Sequence, residues 1–243
     1  MRVVVAIVLS CLFFPIQSSL ASGGCTPGSE GPDQIYCSAS DDVHRGDPGD
    51  DLIVGRGGDD RLHGGDGDDR IYGDGGMDVL IGDAGTDRLY GGPRADSLSG
   101  GDGNDVIDGS TGADAISGGQ GWDQLYGGPE DDEIAGDGGL DRVDGGDGND
   151  YISGGARPDL LYGGPDDDRV FGGAGADEIY LGAGDDQVNP GAGIDIVRAG
   201  PGNDSIDARD GAADRIRCGE GADHVIADEV DRVGPDCEEV IRT

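Results

Sequence analysis

A nine-residue period runs unbroken through most of this chain. Cut from Gly28 in steps of nine, the frame holds to Asp207 and gives twenty units. The sixth position is Asp in all twenty, and the eighth is Ile, Leu or Val in nineteen, His44 being the exception. The first position is Gly in sixteen units, the second Gly in twelve and Asp in four, and the fourth Gly in fifteen. The unit Gly64-Gly65-Asp66-Gly67-Asp68-Asp69-Arg70-Ile71-Tyr72 shows the whole pattern. A fixed period of this kind implies a stack of short structural repeats rather than a folded globule.

Each position has a physical reading. Gly at positions 1, 2 and 4 permits positive φ and leaves carbonyls uncovered, which makes a tight turn lined by oxygen. Asp at position 6 adds a carboxylate at the end of the turn. Positions 7 to 9 then read as a short strand, with position 8 facing one way and positions 7 and 9 the other. Two units make a coil of eighteen residues, and stacked coils make two parallel sheets over a thin aliphatic core.

Composition agrees with this and excludes other classes. Of the 243 residues, 52 are Asp or Glu against 16 Arg, Lys is absent, and the formal net charge is −36. Hydrophobic residues are 34% and glycines number 52, far from the roughly 45–50% apolar and ~7% Gly of ordinary domains. Nucleic acid and anionic membrane surfaces are excluded as partners, since both repel such a polyanion. A disordered acidic chain would scatter its acids, whereas these are in phase.

The pattern Gly-Gly-x-Gly-x-Asp-x-aliphatic-x resembles the RTX, or haemolysin-type, calcium-binding nonapeptide repeats, over about 180 of the 243 residues. The resemblance implies an all-β fold, a right-handed parallel β-roll of about ten coils, with calcium between successive turns on each edge. Carried over position by position, the carboxylate ligands would be Asp51, Asp60, Asp69, Asp78, Asp87, Asp96, Asp105, Asp114, Asp123, Asp132, Asp141, Asp150, Asp159, Asp168, Asp177, Asp186, Asp195 and Asp204. Carbonyl ligands would come from the glycine positions, represented by Gly65, Gly67, Gly101, Gly103, Gly119, Gly121, Gly146, Gly148, Gly173 and Gly175. Partners in one site would lie eighteen residues apart, as Asp51 and Asp69 do. The donor chemistry supports this independently, because an all-oxygen set suits Ca2+ rather than Zn2+ or Cu2+. Up to about eighteen Ca2+ would balance the charge of −36. The stacked carboxylates repel one another without ions, so the fold is expected to depend on calcium.

The ends carry different signals. Arg2, the apolar run from Val3 to Phe14 and Ser19-Leu20-Ala21 read as a secretory leader cleaved after Ala21; an uncleaved anchor is the alternative. The domain reading is residues 1–21 as leader, 22–36 as an N-terminal cap with a degenerate first repeat, 37–226 as the roll and 227–243 as a C-terminal cap. The exported chain keeps four cysteines, with three possible pairings. Cys37 and Cys218 would lie about ten coils apart, nearly 50 Å at ~4.8 Å per coil, well beyond disulfide reach. The pairing read is therefore Cys25–Cys37 and Cys218–Cys237; metal binding by these thiols competes, without a Cys-x-x-Cys to support it. Sixteen Arg without a single Lys point to a GC-rich, bacterial genome. The protein is read as secreted, with no membrane span once the leader is removed.

Some features go beyond the repeat. Six of the seven tyrosines occupy position 9, and Tyr72, Tyr90, Tyr126, Tyr162 and Tyr180 fall on one outer sheet face, a candidate surface for an extracellular glycan or protein. Position 4 departs from Gly at Ser40, Arg94, Glu130, Arg157 and Asp166, read as drift in a tandem duplication or, for the two arginines, as a charge standing in for an ion. His44, His63 and His224 are too far apart to form a site, and neither His-Glu-x-x-His nor Gly-x-Ser-x-Gly occurs. No catalytic module is read. The functional reading is an exported calcium-binding structural or surface protein, with a glycan-binding adhesin or an accessory module of an extracellular hydrolase or epimerase system as alternatives. N-terminal sequencing of the exported protein is expected to begin at Ser22; a chain that starts at Met1 would remove the leader reading.

Overall fold

The computed structural model describes residues 24–243; the expected leader over 1–21 and its cleavage site lie outside them. The described residues form a parallel β-solenoid of two twelve-stranded sheets and no helix. Consecutive strands alternate between the sheets, so each coil contributes one strand to each. The first sheet starts at Gln34–Tyr36 and the second at Val43–Arg45. Register follows the eighteen-residue coil: Ile53 faces Ile71 and Leu62 faces Leu80 in the neighbouring strand. The repeat frame supplies ten coils. Arg215–Glu220, His224–Ala227, Arg232–Val233 and Glu239–Arg242 continue both sheets through two more.

Most strands run six residues, as in Leu52–Gly57 and Arg61–Asp66, longer than the three positions the sequence suggests. The ladder passes the corner because backbone pairing does not need a side chain. Gly155 pairs with Gly173, and Ala156 with Ala174, at positions 2 and 3 of their units.

The core is one aliphatic row per sheet. Position 8 supplies Ile35, Ile53, Ile71 and their successors to the first sheet, and Leu62, Leu80, Leu98 and theirs to the second, all at most 4% exposed. His44 is the exception: it is half-buried at the open end of the second sheet, with Nε2 unpaired. Position 1 also faces inward, but there glycine leaves room for the turn. Near the ends larger residues take that place. Cys37, Leu181, Ala199, Ala208, Cys218 and Ala227 are all buried in the core. Cys37 and Cys218 make their disulfides from this inward position, with Cys25 and Cys237 as partners.

Glycine at position 4 is a conformational requirement wherever φ lies beyond the left-handed helical region. Gly103 sits at φ +142°, and a Cβ there would overlap the Gly85 carbonyl oxygen of the preceding coil. Arg94, Glu130, Arg157 and Asp166 take φ between 78° and 87° instead, the left-handed helical region open to L-residues. Gly31, by contrast, has no atom within 4 Å of its would-be Cβ. Gly103→Ala is therefore expected to cost about 2–3 kcal/mol and to lower the thermal midpoint in saturating Ca2+, whereas Gly31→Ala should leave it unchanged. Equal midpoints for the two variants would contradict the steric account.

Candidate metal centres

The turns fill positions 1 to 6, and Asp at position 6 ties each turn to the next. The backbone N–H of each such Asp donates to Oδ1 of the Asp one coil further on. On the edge that leads into the first sheet, the row runs Asp33, Asp51, Asp69, Asp87, Asp105, Asp123, Asp141, Asp159, Asp177, Asp195, Asp214 and Asp231, with N···O distances of 2.7–3.0 Å. On the other edge it runs Asp42, Asp60, Asp78, Asp96, Asp114, Asp132, Asp150, Asp168, Asp186, Asp204 and Asp223, and ends on Glu238, at 2.7–3.1 Å. The eighteen aspartates singled out from the sequence thus stand in two continuous, buried rows.

The second carboxylate oxygen is what distinguishes these rows. In twenty aspartates, from Asp51 to Asp214 on one edge and Asp60 to Asp223 on the other, Oδ2 is buried and has no hydrogen-bond partner. In fifteen of them, Asp51 to Asp177, it lies inside the turn against a glycine at position 1: a Cβ on Gly64 would strike Asp69 Oδ2, and one on Gly100 would strike Asp105 Oδ2. The next coil's position-1 carbonyl, Gly82 O or Gly118 O, approaches the same point. Two oxygens of like sign facing one another favour a cation or a proton between them.

The predicted glycines line the same turns. A Cβ on Gly65, Gly67, Gly101, Gly103, Gly119, Gly121, Gly146, Gly148, Gly173 or Gly175 would run into the carbonyl of the matching residue one coil back, such as Asp47 O for Gly65 and Gly49 O for Gly67. Carbonyls at positions 3 and 6 are consumed by the ladders, as in Gly67 N to Ala84 O and Leu52 N to Asp33 O. The donor set is oxygen throughout, which fits a hard cation and not a soft one.

The ends of the rows are closed differently. Ser29 donates N–H and Oγ–H to Asp33 Oδ2, and Ser38 does the same to Asp42 Oδ2. At the far end Asp231 accepts from Asp214 N at Oδ1 and from Asp228 N at Oδ2. Only the interior carboxylates are left with an unpaired oxygen.

Two members lie beyond the eighteen. Asp214 and Asp223 fall inside the roll read over 37–226, past a one-residue slip, and they continue the rows as further ligand candidates. Sequence reading missed a second ladder at position 5, where ten of the twenty units carry Asp or Asn. Its side chains accept from the next coil instead, as in Asp68 N to Asp50 Oδ1 (3.1 Å) and Asp185 N to Asp167 Oδ1 (2.7 Å). Arg94 and Arg157 are exposed and pair with no carboxylate among the described residues, which gives no support to their standing in for ions. The five tyrosines do share the outer face of the first sheet, Tyr72 opposite Tyr90 and Tyr162 opposite Tyr180.

Burial without a partner raises the carboxyl pKa values. Desolvation lifts Asp60, Asp69 and Asp105 to about 6, Asp87, Asp114 and Asp150 to about 7, and Asp168 to about 8, against the pull of the N–H donated to Oδ1. Neighbouring carboxylates in the row push the same way.

A model of the RTX calcium-binding nonapeptide repeat (4 copies) matches the chain in overlapping segments, 28–53, 45–80, 81–116, 99–134, 117–152, 126–161, 153–188 and 189–225. No curated protein matches it.

The raised values set the pH response of the metal-free chain. A carboxyl whose pKa is higher folded than unfolded stabilises the fold when protonated, and that contribution is lost as pH rises through the folded value. In metal-free buffer the strand signal is expected to be stronger at pH 5 than at pH 8, with the loss centred between about 6 and 8. Far-UV circular dichroism across that range checks it; a metal-free chain better ordered at pH 8 would show that the turns do not desolvate their carboxylates.

Proposed function

The chain belongs to the RTX calcium-binding nonapeptide-repeat family, and on that premise we propose that it is an exported structural protein whose solenoid folds when two rows of Ca2+ fill its turns. The carrying observation is the set of twenty buried, unpaired Oδ2 atoms in two oxygen-only rows. The position-6 aspartates and the carbonyls of positions 2 and 4 would hold the ions. Bound Ca2+ supplies positive charge that turns carboxylate repulsion into cross-coil attraction.

Charge balance and row ends bound the load. A net charge of −36 is matched by eighteen divalent ions, since 36/2 = 18. The serine caps on Asp33 and Asp42 and the double hydrogen bond on Asp231 leave ten orphan carboxylates on each edge, a capacity of the same size.

Export is supported by the leader-like residues 1–21 and by the two disulfides, which persist in oxidising compartments. Among the described residues no helix is long and apolar enough to cross a membrane. The role is structural rather than catalytic, since the repeat motif accounts for the clustered carboxylates.

Circular dichroism of residues 22–243 during a Ca2+ titration at pH 8 tests the reading. The strand signal is expected to rise cooperatively at roughly 10⁻⁴–10⁻³ M Ca2+, the range of extracellular modules, and Mg2+ should not replace it. Asp105→Asn with Asp123→Asn in mid-row should move the midpoint to higher Ca2+ and lower its steepness. A strand-rich chain in excess chelator at pH 8, unchanged by Ca2+, would sink the proposal.

A further inference from the structure

The outer face of the second sheet is nearly uncharged in a chain of net charge −36. Over the seven strands from Val79–Ala84 to Gln187–Ala192, positions 7 and 9 present fourteen side chains, of which only Glu133 and Arg169 are charged. The seven matching strands of the first sheet, Arg70–Gly75 to Glu178–Ala183, present six charges there. The repeat motif leaves positions 7 and 9 open, so calcium binding does not demand this neutrality. Glu133 and Arg169 stand two strands apart, either side of Tyr151, about 10 Å at ~4.8 Å per strand. Among the described residues neither forms an ion pair. At the rim, Asp83 and Asp137 are already engaged, by Arg45 (3.1 Å) and by Ser117 Oγ (2.6 Å).

Side-chain size is graded along the same face. From Ser97 to Ala135 every outward residue but Glu133 is Ser or Ala, and the sheet sinks into a trough of about 330 Å³ over Leu98 and Ile116. From Tyr151 onward most are large. Tyr151 and Phe171 are 44% and 38% exposed, with ring centroids 5.3 Å apart, and Arg169, Gln187 and Asn189 surround them. The turn edges that flank the face also differ. The five turns from Gln120 to Ile194, which lead into the first sheet, have no acid at positions 3 to 5 and carry Arg157. The five on the opposite edge, from Pro129 to Asn203, carry six acids at those positions. Size and charge thus change about one centre, the strand Tyr151–Ala156.

We propose that this face is a dimer interface with a second copy of the chain, related by a two-fold axis through the strand Tyr151–Ala156. An axis perpendicular to the sheet reverses both strand order and strand direction. It sets Tyr151 over Ser153 of the second copy, Gln187 over Ser117 and Asn189 over Ala115, so large side chains meet small ones. Arg169 comes over Ala135, one outward position from Glu133 of the second copy. Two equivalent ion pairs then close that one copy cannot make alone. The same operation lays the acidic edge of each copy beside the acid-free edge of the other. The face is its own complement in size and in charge. Seven strands at ~4.8 Å and three residues at ~3.3 Å make the contact about 30 by 10 Å. That is small for a stable complex, so the dimer is reversible, with a Kd of roughly 10⁻⁵–10⁻⁴ M. The inference rests on the calcium reading, since ion-free copies at −36 would repel one another.

Sedimentation of the Ca2+-loaded chain over about 10–500 μM, a range that brackets the expected Kd, tests it. A monomer–dimer equilibrium is expected, without larger species. Glu133→Arg and Arg169→Glu should each raise the Kd about tenfold or more. The two together should restore it, because exchanging both signs rebuilds the pairs across copies. Ser153→Arg, beside the axis, should abolish the dimer, and Arg88→Gln on the first sheet should not change it. Circular dichroism in Ca2+ shows whether each variant folds. A wild-type chain that does not fold with Ca2+ overturns both readings, whereas a folded monomer at every concentration overturns this one alone. So would a dimer that the single exchanges leave intact, a double exchange that fails to restore it, or association lost with Arg88→Gln.

Discussion

One hydrogen bond, repeated, sets the geometry of the molecule: the N–H of each position-6 aspartate to Oδ1 of the aspartate one coil on. It holds successive turns in register, and the row continues even where the coil lengthens to nineteen residues, as between Asp195 and Asp214. It also buries a charge at every corner. One oxygen of each carboxylate is satisfied and the other is not, so the same contact that orders the stack leaves a row of unpaired negative oxygens within it. Neutralisation is therefore a condition of the fold and not an addition to it. Protons and divalent cations are competing ways to meet that condition.

The glycines follow from the aspartates. Glycine at position 1 makes room for Oδ2 in fifteen units, and glycine at positions 2 and 4 makes room for a carbonyl of the preceding coil. Departures at positions 2 and 4, such as Asp83, Arg94 and Glu130, take a left-handed φ in mid-stack, whereas those at position 1 gather toward the ends. Leu181, Ala199, Ala208 and Ala227 fill the inward position with carbon in the last coils, and Cys37 and Cys218 fill it with sulfur. The terminal coils thus gain apolar contact and covalent links where an ion row has a neighbour on one side only. The serine caps at Asp33 and Asp42 solve the same problem by hydrogen bonding.

The periodic part of this architecture was legible in the sequence because each repeat position has one dominant physical demand. Twenty in-phase aspartates can only stack, and an aliphatic every nine residues can only face inward. Both disulfides followed, since solenoid length removed the other pairings. What the sequence did not reveal depends on contacts between coils. The position-5 ladder works with Asp or Asn at only half its positions, because a row needs an acceptor on one coil and merely an N–H on the next. Asp214 and Asp223 lie past a one-residue slip in the frame, which a loop absorbs without disturbing the register beyond it, so they join the rows although they stand outside the twenty in-phase units. Strand length was underestimated because glycine carries no propensity for a strand, yet its backbone pairs as well as any other.

The same separation of roles bears on how the surface is used. Acids are committed to turns, where geometry holds them to the stack, and the rows take up positive charge in proportion to their number. Arginines are free of that duty, and the first sheet collects them without giving most of them partners. In the ion-free chain their field is submerged beneath a charge of −36. Once the rows are neutralised, the arginines set the local field of that face, since screening leaves only charges within about 8–10 Å to act. Calcium in the turns would then control a surface it does not touch. The coupling needs no moving part: it follows from subtracting the turn charge and leaving the sheet charge in place.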